Sequence, residues 1–286
     1  MHNTRQLTRK LLVSAAAATL LVGLAACGGG DDDDSSADTA APATTEAVDH
    51  NTMDMGTDTT DATATTDDAA APVAGVDEFC QAELAAEAAA NQDPAAAGPA
   101  FEALVAAAPA DLKATVEDVI AHAEEGPGSP DFDAAYGEMI TFVKENCGFT
   151  DVSITTSEYA FGGLPTELAA GPAVFTVQNI GEEVHEVLVM RKNDGVTETA
   201  EEILALPEEE AMAKATMVGV AFGFPGSTSF TTMDLAPGDY IAVCFLPQGA
   251  TPELMAQMPE GPDGTMPPEA GPPHAMAGMV QEFVVA

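Results

Sequence analysis

Between residues 76 and 147 the apolar positions recur at helical spacing. They group as Phe79 and Leu84; Phe101, Leu104 and Val105; Leu112, Val116, Val119 and Ile120; and Phe132, Tyr136, Met139, Ile140 and Val143. Asp93-Pro94, Gly98-Pro99, Pro109 and Gly126-Pro127-Gly128 interrupt this stretch, so four short helices are predicted. Asp111 and Asp131 stand where N-caps belong, and Gly148 lies just past the last helix. Beyond Gly148 the period shortens. Runs rich in Val, Ile, Thr and Phe at 152–155, 173–178, 184–190, 227–232, 239–245 and 280–285 read as strands between Gly, Pro and Asn turns. Several short strands over one such length predict a β-sandwich, with a helical interruption at 199–214 broken near Pro207. Upstream of residue 76 the chain has no such periodicity. An apolar run at 11–26 follows Arg5, Arg9 and Lys10, and 28–75 is Asp, Thr, Ala, Ser and Pro.

Charge narrows the function more than length does. The 286 residues carry 47 acids against 8 Lys and Arg, a net −39. So acidic a chain has almost nothing with which to neutralise phosphates, which excludes nucleic acid as a partner. Anionic lipid headgroups should repel it, so attachment to a membrane must be covalent or through an apolar segment. The charge is spread: −12 over 28–75, −13 over 76–148 and −17 over 149–286. It is therefore better read as solubility and partner choice than as a site. A carrier with this charge is expected to dock to a basic face of a redox partner, with salt-sensitive association.

Residues 1–26 have the basic start, short apolar stretch and small-residue end of an export signal. The sequence Leu24-Ala25-Ala26-Cys27 resembles the bacterial lipobox, which implies lipidation of Cys27 and a lipid-anchored protein outside the cytoplasmic membrane. The tether at 27–75 cannot bury enough apolar area to offset its ordering entropy, so it is expected to be disordered. It includes a His- and Met-bearing run at 50–55, a soft-metal ligand set by residue type that reads better as plain polar linker. The helical stretch, 76–148, has a small Ala-rich core that a cross-link between Cys80 and Cys147 would reinforce. If Cys27 carries lipid and those two pair, Cys244 is left alone. A spare thiol in an exported protein implies intermolecular pairing, burial or a metal. The histidines of 149–286 are His185 and His274, and the second stands close before Met276 and Met279. Two imidazoles, a thiolate and a weak thioether make the donor set of a blue-copper site.

Three fragments, in this order, resemble the plastocyanin-type cupredoxins. They are Asn179-x-Gly181 leading to His185, Pro237-Gly238-Asp239-Tyr240 leading to Cys244, and His274 followed by Gly278-Met279. The resemblance spans about 150–286. It implies a Greek-key β-sandwich, the second of two domains after the disulfide-linked helical bundle read from 76–148, and one copper ion held by His185, Cys244, His274 and Met279. The implied role is electron transfer. A copper carrier or store, or a metal-free binding module of the same fold, are the alternatives. A copper enzyme is not expected, because oxidases and nitrite reductases of this fold need further histidines. The chain departs from the family twice. Twenty-nine residues rich in Pro separate Cys244 from His274, and Glu186 follows the first histidine where the family usually has Asn.

Overall fold

The computed structural model describes residues 76–257 and 270–286. The expected export signal at 1–26, the expected lipidation site Cys27, the expected tether at 27–75 with its His/Met run, and Met258 and Met266 lie outside the described residues.

The four expected helices are α1 (Val76–Gln92), α2 (Pro94–Ala107), α3 (Lys113–His122) and α4 (Pro130–Asn146). Their limits follow local chemistry. The Asp93 carboxylate accepts from the Ala95 N–H and caps α2, which ends at Ala108 in an extended conformation forced by Pro109. The expected break at Gly98-Pro99 does not occur. Pro99 lies one turn into α2, where it costs a single backbone hydrogen bond, and Ala97 and Leu104 are buried on that helix. The expected caps at Asp111 and Asp131 are corrected too. Leu112 precedes α3 with no side-chain cap, and Ser129 precedes α4. Asp131 falls instead within the first turn of α4, where a negative charge suits the helix dipole. Cys80 and Cys147 are disulfide-bonded with Cα atoms 5.6 Å apart, joining α1 to the end of α4.

Among the described residues, nine strands build two sheets. β1 (Thr150–Ser157), β2 (Ala160–Gly162), β4 (Gly171–Asn179) and β7 (Thr228–Leu235) form the first, in the order β2-β1-β4-β7. β3 (Glu167–Leu168), β5 (His185–Lys192), β6 (Ala215–Gly223), β8 (Gly238–Val243) and β9 (Val280–Val285) form the second, in the order β3-β9-β8-β5-β6. The interruption at 199–214 is two single turns, α5 (Ala200–Leu204) and α6 (Glu208–Met212), divided at Pro207 as expected. Thr199 and Glu202 close a capping box on α5. Strand β6 was not anticipated. Its glycines at 219 and 223 and its mixed burial pattern hide the alternation, yet it pairs with β5 along its full length.

The sheets pack face to face over Ile154, Phe175, Val177, Val187, Val189, Leu235, Tyr240 and Phe283. Strand β4 is buried on both faces. Phe175 and Val177 point into the sandwich, while Val174 is buried among Phe79, Val116, Ile140 and Val143 of the helices. Each such side chain contributes about 1.5–3 kcal/mol by leaving water. The helical layer thus lies on the outside of the first sheet, and the described residues belong to one compact unit. Helix α1 makes polar contact with both sheets. Glu83 bonds the Thr232 hydroxyl at 2.9 Å and Glu87 bonds Thr231 at 2.8 Å, both on β7. Gln92 donates to the Val218 carbonyl of β6 at 2.9 Å. β7 and β6 are the outer strands of their sheets, so α1 covers edges that would otherwise offer unpaired backbone groups.

Candidate metal centre

Antiparallel pairing gathers the candidate ligands at one end of the second sheet. His185 is the first residue of β5, Cys244 directly follows β8, and Met279 directly precedes β9. Because β5 and β9 both run antiparallel to β8, the start of each lies beside the end of β8. The Cys244 N–H donates to the Met279 carbonyl at 3.1 Å, which extends the β8–β9 ladder by one step. His274 opens a 3-10 turn, His274–Ala277, that closes on Gly278. Gly278 has φ of 102°, a left-handed conformation that only glycine takes cheaply, and it swings the chain into β9 with Met279 turned inward.

The long insertion between Cys244 and His274 does not separate them. Its two ends run back along each other as a ladder. The His274 N–H donates to the Leu246 carbonyl, Ala275 N–H to Cys244, Gln248 N–H to Pro272, and Gly271 N–H to Gln248, all at 2.8–3.0 Å. Pro247 and Pro273 bridge the same stem. The insertion therefore leaves and rejoins at one place, and the short helix α7 (Pro252–Met255) lies beyond the stem.

His185, Cys244, His274 and Met279 are all fully buried. The Nδ1 atoms of the two histidines lie 3.1 Å apart, and Cys244 Sγ is 3.2 Å from His274 Nδ1. One donor atom from each of these three residues lies within 4.8 Å of the others. Met279 packs in the same cluster as Cys244, with Val184, Leu246 and Ala250. Without an ion, burial raises the Cys244 thiol well above its usual range, and the Glu186 carboxylate adds to this. Burial lowers both imidazoles, and His274 lowers His185 further. Three buried donors this close must share either protons or a cation. A cation converts the thiol to the thiolate and uses the lone pairs that neutral imidazoles present. One thiolate, two imidazoles and a thioether, buried together, fit a type 1 copper ion. Among the described residues, the other group of comparable closeness is His122, Glu125 and Asp131, two of them exposed, with His122 paired to Glu125 at 3.0 Å.

The residues around the trio hold it in place. Asn179 explains its own motif. Its amide donates to the Glu183 and Gly223 carbonyls at 2.7 and 2.8 Å and accepts from the Gly181 N–H at 2.8 Å, fixing the loop that delivers His185. A side chain at Gly181 would run into the Glu158 carboxylate, which accepts from the Glu182 and Glu183 N–H groups. Burial would raise Glu158, but these N–H donors outweigh it and bring it below the usual carboxylate range. Glu186 pins two of the ligand segments to each other. Its carboxylate accepts from the Phe245 N–H at 2.7 Å, tying the His185 strand to the Cys244 loop, and its own N–H points at Cys244 Sγ at 3.4 Å. Burial raises this carboxyl to about 7, against the pull of the Phe245 N–H.

Sequence reasoning missed three neighbours of the site: Glu158, Tyr159 and Glu183. Glu183 Oε2 meets His274 Nε2 at 2.9 Å, and Glu158 Oε1 lies 3.5 Å from His185 Nε2. The Tyr159 ring packs on His274 with centroids 4.7 Å apart. No local pattern marks residues 158 and 159, which reach the site only through the fold. Glu183, two residues before a histidine, was hidden among the acids of an acidic chain.

The fold is a two-sheet β-sandwich with a buried His-Cys-His group at one end of the second sheet. Solved structures with a similar fold include the dithionite-reduced auracyanin of the photosynthetic bacterium Roseiflexus castenholzii, 20% identical over 48% of this chain and 97% of that one, TM-score 0.28. Auracyanin A of Chloroflexus aurantiacus, a "blue" copper protein, is 18% identical over 49% of this chain and 100% of its own, TM-score 0.27. A multi-copper oxidase from Pediococcus acidilactici is 10% identical over 49% of this chain and 26% of that one, TM-score 0.26. No protein-family model matches the sequence, and no curated protein does. At such scores what the site can do follows from its own residues. Among the described residues, no helix is long and apolar enough to cross a membrane.

Proposed function

We infer that this chain is an exported lipoprotein, anchored through Cys27, whose sandwich carries single electrons on one type 1 copper ion. The observation that carries the reading is the convergence of Cys244 Sγ and the two histidine Nδ1 atoms in a fully buried cluster with Met279. Copper, when bound, supplies a one-electron couple between copper(II) and copper(I). The chain's part would be to keep the donors in one arrangement for both states, with His185, Cys244 and His274 as the strong donors and Met279 as a weak thioether. The stem below the insertion and the Glu186–Phe245 hydrogen bond supply that rigidity. The Cys80–Cys147 disulfide suits an oxidising compartment and supports export.

Burial of all four candidate ligands favours a resident ion over a cargo, because a carrier must open its site to give copper up. A catalytic role would need a substrate position at the metal, and these ligands are closed off from solvent. Copper(II) reconstitution of residues 76–286 is expected to give an intense visible thiolate-to-copper band, and Cys244→Ser is expected to abolish it. A colourless wild-type protein, or a Cys244→Ser variant that keeps the band, would refute the reading.

A further inference from the structure

The outer nitrogen of each candidate histidine ligand faces a glutamate. His274 Nε2 sits 2.9 Å from Glu183 Oε2, within hydrogen-bond reach, whereas His185 Nε2 is 3.5 Å from Glu158 and has no hydrogen-bond partner. Glu183 is firmly held. The Tyr159 hydroxyl donates to its Oε1 at 3.1 Å, and the Gly249 N–H, from the insertion, donates to its Oε2 at 2.7 Å. Its backbone is fixed as well, by the Asn179 amide on its carbonyl and by Glu158 on its N–H. A carboxylate only accepts, so the proton of the His274 ring must sit on Nε2 to satisfy this contact. The ring is then left with its Nδ1 lone pair facing Cys244 and His185, which is the form a metal requires.

Resting on the copper reading, the geometry points to Glu183 as the positioning residue for His274. It selects the Nε2–H tautomer before any ion arrives. Once an ion is bound, it makes the imidazole a stronger donor and so favours copper(II) over copper(I). A carboxylate behind a ligating imidazole acts this way by drawing on the Nε2 proton and by placing negative charge near the metal. Glu183 also covers the His274 edge, which is fully buried, together with the partly exposed Tyr159 ring. Glu158, at its longer distance, contributes charge without directing a proton.

The test needs two measurements. In metal-free protein, nitrogen NMR of the imidazoles should show His274 as the Nε2–H tautomer. Glu183→Ala should give a mixture, and Glu183→Gln, which keeps an acceptor oxygen, should restore most of the wild-type form. In copper-loaded protein, Glu183→Ala should shift the copper(II)/copper(I) equilibrium about tenfold towards copper(I), a rise in potential of about 59 mV. It should also weaken copper(II) binding about 10–100-fold. Glu183→Gln should lie between, since it keeps the hydrogen bond and loses the charge. Glu182→Gln, next in sequence but touching the site only through its backbone N–H, is the control and should change neither readout. An unchanged tautomer in Glu183→Ala, or a blue variant with wild-type potential, would overturn the assignment. If Glu183→Ala does not fold, Glu183→Gln decides through its potential. A colourless wild type with the expected tautomer change would sink the copper reading and leave the positioning role standing.

Discussion

On the proposed copper reading, Met279 is expected to tune the centre through its thioether without being needed to form it. It is fully buried beside Cys244, and its backbone carbonyl closes the β8–β9 ladder. A Leu at that position keeps the volume and removes the sulfur. Met279→Leu is therefore expected to keep the visible band and to raise the potential, since loss of an axial donor disfavours copper(II). Redox titration followed through the band checks this, and a variant that loses colour would show that the thioether is required for assembly. At this scale the sequence was most legible for residues whose type is scarce. Four cysteines and five histidines could each be weighed one by one. The acidic neighbours could not, because Glu158, Glu183 and Glu186 look like the other 44 acids of the chain until the fold brings them together.

Helix α1 carries a burden that its periodicity conceals. Glu83 is buried against β7 with hydrogen bonds to Thr232, and Glu87 lies one turn on, bonded to Thr231 and to the Tyr136 hydroxyl of α4. Desolvation, with Glu87 beside it, raises Glu83 to about 8 from an ordinary value near 4.5. The folded state therefore holds a proton that the unfolded chain releases. Stability from this group is complete below about pH 4.5 and falls as pH rises towards 8, because the unfolded state binds fewer protons across that window. Glu83→Gln mimics the protonated form. It is expected to melt at the wild-type temperature at pH 5 and at least about 3 °C higher at pH 8, a difference of order 1 kcal/mol. Equal melting at both pH values would show that the carboxylate is ionised in the fold. The helices themselves were legible, since apolar spacing and Pro or Gly breaks mark all four. Their docking on the outer face of the first sheet was not. The residues that make it, Val174 and Thr232, sit in strands whose alternation tells only which face is buried and not by what. Strand β6 was illegible for a related reason. Its glycines make room for neighbours, Met233 at Gly219 and Asn179 at Gly223, and so erase the pattern that would announce a strand.

The whole molecule presents acid almost everywhere, with −30 spread over residues 76–286. On the proposed copper reading, reagents that exchange electrons with the buried centre must first approach through that charge. Reduction by a small cationic complex should slow about tenfold as ionic strength rises from 0.01 to 0.5 M, and reduction by an anionic one should quicken. Stopped-flow rates with the two reagents test this, and salt-independent rates for both would show that approach is not governed by the net charge. The stem beneath the long insertion has another consequence at this scale. Because the chain is zipped shut at Pro247 and Pro273, the 29-residue excursion leaves and rejoins beside the ligands, and just beyond the stem Gly249 and Ala250 still bond Glu183 and Val184. Loop length costs little once its ends are joined, since closure entropy grows only with the logarithm of length. Shortening or lengthening the chain after Gln257 is therefore expected to leave the centre as it is, whereas a change at Gly249 or Ala250 is expected to disturb it.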